Sequence, residues 1–264
     1  MLFDSHIHFQ DERIFPQFKR LLEDAFSSNI KGWICCGSSP DDWSSVSSLC
    51  AKESAILPAF GLHPWYVDEA GEDWSGKLMG FLDAEPSAIG EIGLDYALNV
   101  RNDQLQEKVF RMQMDIAKKR GLPVSIHCRK AWDIMPAIIE EYACSGFPII
   151  LHSFSGPVEL IPRLSKAGCY FSFSGSITRS NNKKGNAALL TVPKERLLLE
   201  TDAPDLPPVV DHKVVEPNIP ANLVHVAQTV AEKLKLDSTD LEEIIWNNSM
   251  SVFGDLLKKR ENNV

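Results

Sequence analysis

The sequence predicts an α/β protein, a closed (β/α)8 barrel, on three observations. Eight short runs rich in apolar and branched residues recur along the chain, mostly separated by segments with helical spacing. Strands that alternate with helices pair in parallel through crossovers. The length, 264 residues, fits one such barrel of about 250 residues. An open doubly wound sheet is the runner-up, but the GxGxxG turn it often uses is absent. No Pro/Ser-rich linker cuts the chain, so residues 1–264 are expected to form a single domain.

The elements follow in order. The predicted strands are Leu2–His8, Gly32–Cys36, Ile56–Leu62, Ala88–Ile92, Pro123–His127, Ile149–His152, Cys169–Ser174 and Leu197–Thr201. Between the fourth and fifth, Gln104–Arg120 carries Leu105, Val109, Met112 and Ile116 on one helical stripe. Ala131–Tyr142, Val158–Lys166, Ile219–Lys235 and Thr239–Phe253 also read as helices. Ser38-Ser39-Pro40-Asp41 and Asp237-Ser238 offer N-caps, and Gly121 and Gly168 close helices. Ala203–Ile219, proline-rich and directly after the last strand, reads as an irregular, rigid loop at the barrel mouth.

Composition narrows the class. With 44% hydrophobic and 24% charged residues the chain is an ordinary globular protein. No run approaches the roughly 18 apolar residues of a membrane helix, and the N-terminus has no basic segment followed by an apolar one. The six cysteines form no CxxC pair, which suggests reduced thiols and a cytoplasmic setting. A net charge of −9 gives no global attraction to nucleic acid. If the protein binds a polyanion, metals or a local basic patch must do it.

Six chemistry-bearing residues fall at or near the C-terminal ends of predicted strands. His6 and His8 are on the first, Glu91 on the fourth, His127 on the fifth and His152 on the sixth, and Asp202 directly follows the eighth. In a parallel barrel these ends converge on the face where such enzymes place their active sites. Two residues apart on one strand, His6 and His8 share a side. Four inward imidazoles and two inward carboxylates are costly to bury unless something satisfies them, and a metal centre does so. Two carboxylates carry −2 and two divalent ions +4, a surplus that suits an anionic substrate. The expected split gives one ion His6, His8 and Asp202 and the other His127 and His152, with Glu91 bridging. Two ions about 3.5–4 Å apart clamp the attacking and leaving oxygens of a displacement at phosphorus. Imidazoles suit Zn²⁺, and filling by water suits Mg²⁺ or Mn²⁺.

Other residues carry weaker signals. Asp202 is the general-base candidate. Glu200 shares its parity and is expected to support the centre from below, and Asp95 to orient a ligand or loop. His63, between Leu62 and Pro64, is expected to touch a substrate phosphate or, alternatively, to cap the turn before Pro64. Arg129, Arg179, Lys183, Lys184 and Lys213 follow strands 5, 7 and 8, a local enrichment of cations on an acidic chain. Of these, Arg129, Lys183 and Lys184 are the substrate-binding candidates, with Trp65, Tyr66 or Trp132 available for base stacking.

The strings Phe3-Asp4-Ser5-His6-Ile7-His8, Gly61-Leu62-His63-Pro64, Ile89-Gly90-Glu91-Ile92-Gly93-Leu94-Asp95-Tyr96, His127-Cys128-Arg129-Lys130-Ala131, His152-Ser153-Phe154-Ser155-Gly156 and Glu200-Thr201-Asp202-Ala203-Pro204 resemble, in order, the TatD family of metal-dependent deoxyribonucleases. The resemblance implies an amidohydrolase-like TIM barrel and carries metal-ligand roles to the same six residues, His6, His8, Glu91, His127, His152 and Asp202. It implies hydrolysis of DNA phosphodiesters, often as a 3′→5′ exonuclease on single strands or ends. The chain departs from the family pattern in Asp211-His212-Lys213-Val214-Val215-Glu216-Pro217, where a basic stretch is usual. It departs again at Asn248-Ser249-Met250-Ser251-Val252-Phe253, which lacks an Arg, and at Ser153, where Cys is usual. None of these is a ligand position. The competing readings are a hydrolase of a small ester, lactone, amide or acylated tRNA on the same barrel, and a non-catalytic metal-bearing scaffold.

Overall fold

The computed structural model describes residues 1–143 and 145–262; Cys144 therefore lies outside the described residues. Eight strands, β1 (Leu2–Ile7), β2 (Ile30–Cys36), β3 (Ile56–Phe60), β4 (Ala88–Asp95), β5 (Val124–Arg129), β6 (Ile149–Leu151), β7 (Cys169–Phe173) and β8 (Leu197–Leu199), are hydrogen-bonded in chain order, and every pairing is parallel. Helices α1 (Phe18–Ser27), α2 (Trp43–Cys50), α3 (Trp74–Ala84), α4 (Asp103–Arg120), α5 (Met135–Glu141), α6 (Ile161–Lys166) and α7 (Lys183–Thr191) provide the crossovers, and α8 (Leu223–Leu234) and α9 (Ser238–Glu261) follow β8. The seam between β8 and β1 is closed by backbone bonds just past the ends of the strands. Asp202 N–H donates to His6 O at 3.0 Å and His8 N–H to Ala203 O at 2.9 Å. The chain is the (β/α)8 barrel the strand pattern predicts.

The two ends of the barrel differ in chemistry. Phe3, Ile34, Leu57, Ile150 and Leu198 form an apolar cluster with Val252, Phe253 and Leu256 of α9. Phe3 stacks on Phe253 at 5.6 Å and 11°, so α9 packs across the N-terminal ends of the strands. Toward the C-terminal ends the interior turns polar. The β1–β2 register shifts between Asp4 and Ile7. That irregularity lets neighbouring residues both turn inward, Ser5 Oγ meeting Ser172 Oγ at 2.7 Å and His6 Nδ1 meeting Ser125 Oγ at 2.9 Å. On β4, Gly93 takes φ +143, and a Cβ there would collide with the carbonyl oxygen of His127; only glycine lets β4 lie this close to β5.

Three local expectations are corrected. The α4 stripe is rotated. Its buried face is Gln106, Val109, Phe110, Gln113, Met114 and Ala117, while Met112 is exposed. The two glutamines lie inward because they satisfy backbone at the rim. Gln113 brackets Leu62, and Gln106 Oε1 accepts from Asp95 N–H at 2.9 Å while its Nε2 donates to Asp95 O at 3.3 Å. The stretch after β8 is not wholly irregular. It holds a hairpin, β9 (Val209–Val210) with β10 (Lys213–Val214), turned by Asp211 and His212 at φ +48 and +64, the two positive φ angles a two-residue hairpin turn needs. The offered caps do not cap α2 and α9 by side chain. Asp42 instead accepts from the amides of Ser38 and Ser39, and Asp237 makes no cap bond.

Candidate metal centre

The site is built where strands end. His152 lies one residue beyond β6, and Asp202 three beyond β8. Lys130, Ser153 and Asp202 turn the chain out of the sheet at φ +55, +41 and +54, a left-handed conformation that costs non-glycine residues roughly 1–2 kcal/mol. The cost falls three residues after His127, directly after His152 and at Asp202 itself.

Glu91 is the centre of the cluster. Its Oε2 faces His6 Nε2 at 3.4 Å and His8 Nε2 at 3.6 Å. Its Oε1 faces His127 Nδ1 at 2.8 Å, His152 Nε2 at 3.2 Å and His63 Nε2 at 3.4 Å. Asp202 Oδ1 joins the first set, 3.8 Å from His6 Nε2 and 3.6 Å from His8 Nε2. The two histidine nitrogens are themselves 3.2 Å apart. Donors sharing one ion at about 2.0–2.1 Å in tetrahedral array sit about 3.4 Å from one another, so the first set has the spacing a metal needs. The structure thus brings His6, His8, Glu91, His127, His152 and Asp202 together from five strands.

Outward contacts settle which nitrogen each imidazole turns to the centre. His8 Nδ1 donates to Cys36 O at 2.8 Å, His127 Nε2 lies 3.1 Å from Asp95 Oδ2, and His152 Nδ1 lies 3.1 Å from Glu200 Oε1. Each outer partner is an acceptor, so the neutral ring carries its hydrogen outward and offers its lone pair inward. This is the support metal-binding histidines use. His6 is held by Ser125 Oγ and Cys36 Sγ, at 2.9 and 3.4 Å. His63 is the opposite case. Trp65 N–H donates to His63 Nδ1 at 3.2 Å, so the neutral ring carries its hydrogen on Nε2, the atom facing Glu91. It is a donor there and offers no lone pair, although its position alone would group it with Glu91 and His127.

Electrostatics agree with a donor set that calls for positive charge. Burial pushes Glu91 up, but the surrounding imidazoles, His63 first and then His152, His6 and His127, hold its carboxyl well below the usual range. Burial pulls His8 down, yet Asp202 and Glu91 carry it up to about 10. His6 goes the other way, to about 4, through burial and the adjacent His152, whose ring stacks on it at 4.0 Å. The residues fit a divalent metal centre in type, spacing and tautomer.

Around it opens a cavity of about 1180 Å³, beyond the roughly 300–1,000 Å³ of small-ligand pockets. Arg129, Arg179 and Lys184 line it, with Trp65 and Tyr66; Lys183 and Trp132 are not among its lining residues. Lys183 opens α7 facing solvent, and Trp132 packs edge-on against Phe154 at 5.0 Å. Asp11, Asp41, Glu69 and Asp205 line the cavity as well, and Arg13 pairs with Asp11 and Asp205 at 2.8 and 2.9 Å. Sequence reading passed over Ser125, although it shares the parity of His127 on β5, and over Gln106 and Gln113, whose signal was a polar residue at a helix-inward position.

A family profile described as TatD related DNase matches residues 3–254. The chain belongs to the TatD family. The metal-dependent hydrolase YabD of Bacillus subtilis is 30% identical over 256 residues, 96% of this chain and 99% of YabD. A protein of Enterobacter lignolyticus named 3′-5′ ssDNA/RNA exonuclease TatD is 28% identical over 249 residues, 90% of this chain and 95% of its own length. Among solved structures, the TatD homologue YjjV of Escherichia coli superposes with a TM-score of 0.89 at 25% identity, covering 96% of this chain and 98% of YjjV. This TatD family member is therefore a metal-dependent hydrolase on a TIM barrel. Among the described residues no helix is long and apolar enough to cross a membrane.

Proposed function

We propose that this TatD family protein is a two-metal phosphodiesterase that shortens single-stranded DNA from its ends in the 3′→5′ direction. The observation that carries this reading is the division of Glu91, whose two carboxylate oxygens each face a separate set of imidazoles. His6, His8 and Asp202 would hold one divalent ion, His127 and His152 the other, and Glu91 would bridge. Bound there, Zn²⁺, Mg²⁺ or Mn²⁺ would supply a nucleophilic water at neutral pH and offset charge on the phosphoryl oxygens. The rest falls to this chain's side chains. Arg129, Arg179 and Lys184 hold backbone phosphates. With metal held at Glu91, the His63 Nε2–H would turn from Glu91 Oε1 to a non-bridging oxygen of the scissile phosphate. Asp202 takes the proton of the attacking water as the new O–P bond forms, and returns it to the leaving oxygen as the old P–O bond breaks. One product keeps the phosphate and the other gains the hydroxyl.

The mixed rim supports action at ends. A polyanion is drawn to the arginine and lysine positions and repelled by Asp41 and Glu69, so a strand that continues past the centre is disfavoured. The name of the Enterobacter relative supports the substrate class. The five described cysteines are free thiols, which supports a cytoplasmic setting. The test is a metal-reconstituted screen against single-stranded DNA, duplex DNA, RNA and model carboxylic esters side by side. Metal-dependent release of nucleotides from single-strand ends is the expected result. Turnover of esters or amides with none of nucleic acid would overturn it.

A further inference from the structure

We propose that Trp65 is the stacking platform for the nucleobase next to the scissile phosphate. This rests on the nuclease reading of the same cavity. Trp65 is 49% exposed and lines the cavity. The residue is nevertheless fixed at its indole and at its backbone. Its Nε1–H donates to Asp95 Oδ2 at 2.7 Å, and its backbone N–H donates to His63 Nδ1 at 3.2 Å. It stands edge-on to His63 at 5.0 Å and lies 6.4 Å from His127. The oxygen that holds the indole also contacts His127 Nε2 at 3.1 Å.

These contacts join an exposed aromatic face to the centre through two hydrogen bonds. An indole held this way has lost its rotamer freedom before any ligand arrives, so stacking on it costs little further ordering. Its solvent-facing surface sits two residues from His63, within a nucleotide's reach of the reacting phosphate. A flat apolar face beside a phosphate-binding donor is the chemistry that recognises a nucleotide rather than a bare phosphodiester. Every base offers a π-face, so the platform tolerates sequence. The other two aromatic candidates lack this anchoring. Trp132 packs on Phe154 and does not line the cavity, and among the described residues no hydrogen bond fixes the Tyr66 ring.

The experiment pairs variants with base-free substrates. Metal-loaded wild-type protein, Trp65→Leu and Trp65→Phe are given three single-stranded oligonucleotides: the parent, one with an abasic terminal nucleotide at the cleaved end, and one abasic at the penultimate position. In wild type, one abasic position should lower kcat/KM on the order of 10-fold. Trp65→Leu should show that loss on the parent and no further loss on the abasic strand, with KM carrying the change. Trp65→Phe should keep most of the preference. In a binding assay, 2-aminopurine at the sensitive position should be quenched by wild type and not by Trp65→Leu. Equal turnover of all three strands by wild type, or undiminished abasic sensitivity in Trp65→Leu, overturns the stacking role and leaves the nuclease reading standing. If wild type cleaves none of the strands while it turns over a model ester, the nuclease reading itself falls and takes this proposal with it.

Discussion

Gln113 brackets the peptide of Leu62: its Oε1 accepts the Leu62 N–H at 2.7 Å and its Nε2 donates to the Leu62 carbonyl at 3.1 Å. Both groups are buried at the end of β3, where the sheet no longer supplies partners, and the next residue is His63. One side chain on α4 thus satisfies the strand end and sets the entry angle of the segment that carries His63. Replacing Gln113 with Leu leaves a buried donor and acceptor unmade, at about 1–3 kcal/mol each. We expect Gln113→Leu to lower unfolding free energy by about 2–4 kcal/mol in denaturant titration and to raise KM through His63. A variant of wild-type stability would mean that the Leu62 peptide finds other partners.

Asp202→Asn keeps the shape and one oxygen but removes the proton acceptor. General-base catalysis is worth roughly 10²–10⁴-fold, so kcat should fall by about that factor with KM changed far less. His63→Ala should show the reverse balance, with KM the more affected. The measurement is steady-state kinetics at saturating metal with bound metal quantified. An Asp202→Asn protein with full metal and near wild-type kcat removes Asp202 from the proton path.

Glu200 is fully buried and holds both His152 Nδ1, at 3.1 Å, and the Ser153 amide, at 2.7 Å. Glu200→Gln keeps the volume and discards the charge that sets the His152 tautomer. Loss of such a supporting partner commonly costs about 10–100-fold in metal affinity or activity. Metal competition with a chelator of known affinity should show a loss of about 10-fold. Unchanged affinity would mean that His152 is oriented by packing alone.

Lys184 lines the cavity and its neighbour Lys183 does not. Charge reversal should therefore separate two adjacent lysines. Lys184→Glu should weaken single-stranded DNA binding and reduce the slope of log K against log salt by about 0.7 or more, the loss of at least one phosphate contact. Lys183→Glu should leave that slope where it is. Equal effects from both would show that the field of the whole rim matters and not contact.

The barrel, the strand order and the gathering of His6, His8, Glu91, His127, His152 and Asp202 at one mouth were legible in the sequence. Their physical basis is simple. A parallel barrel sends every strand's C-terminal end to the same face, so a list of strand-end residues is already a list of neighbours. What the tertiary structure alone decided is how each of those groups is held. His63 and His127 look alike in sequence, each an imidazole at the end of a strand. One meets a backbone amide on Nδ1 and becomes a donor to Glu91, and the other meets Asp95 on Nε2 and turns a lone pair inward. The inward side of α4 was misread for the same reason. Gln106 and Gln113 are polar by composition, yet they are buried because Asp95 and Leu62, distant in sequence, leave peptide groups that need partners there. Periodicity records what a residue would prefer in isolation. The hydrogen-bonding demands of a strand end appear only once the chain has brought that end and the helix together.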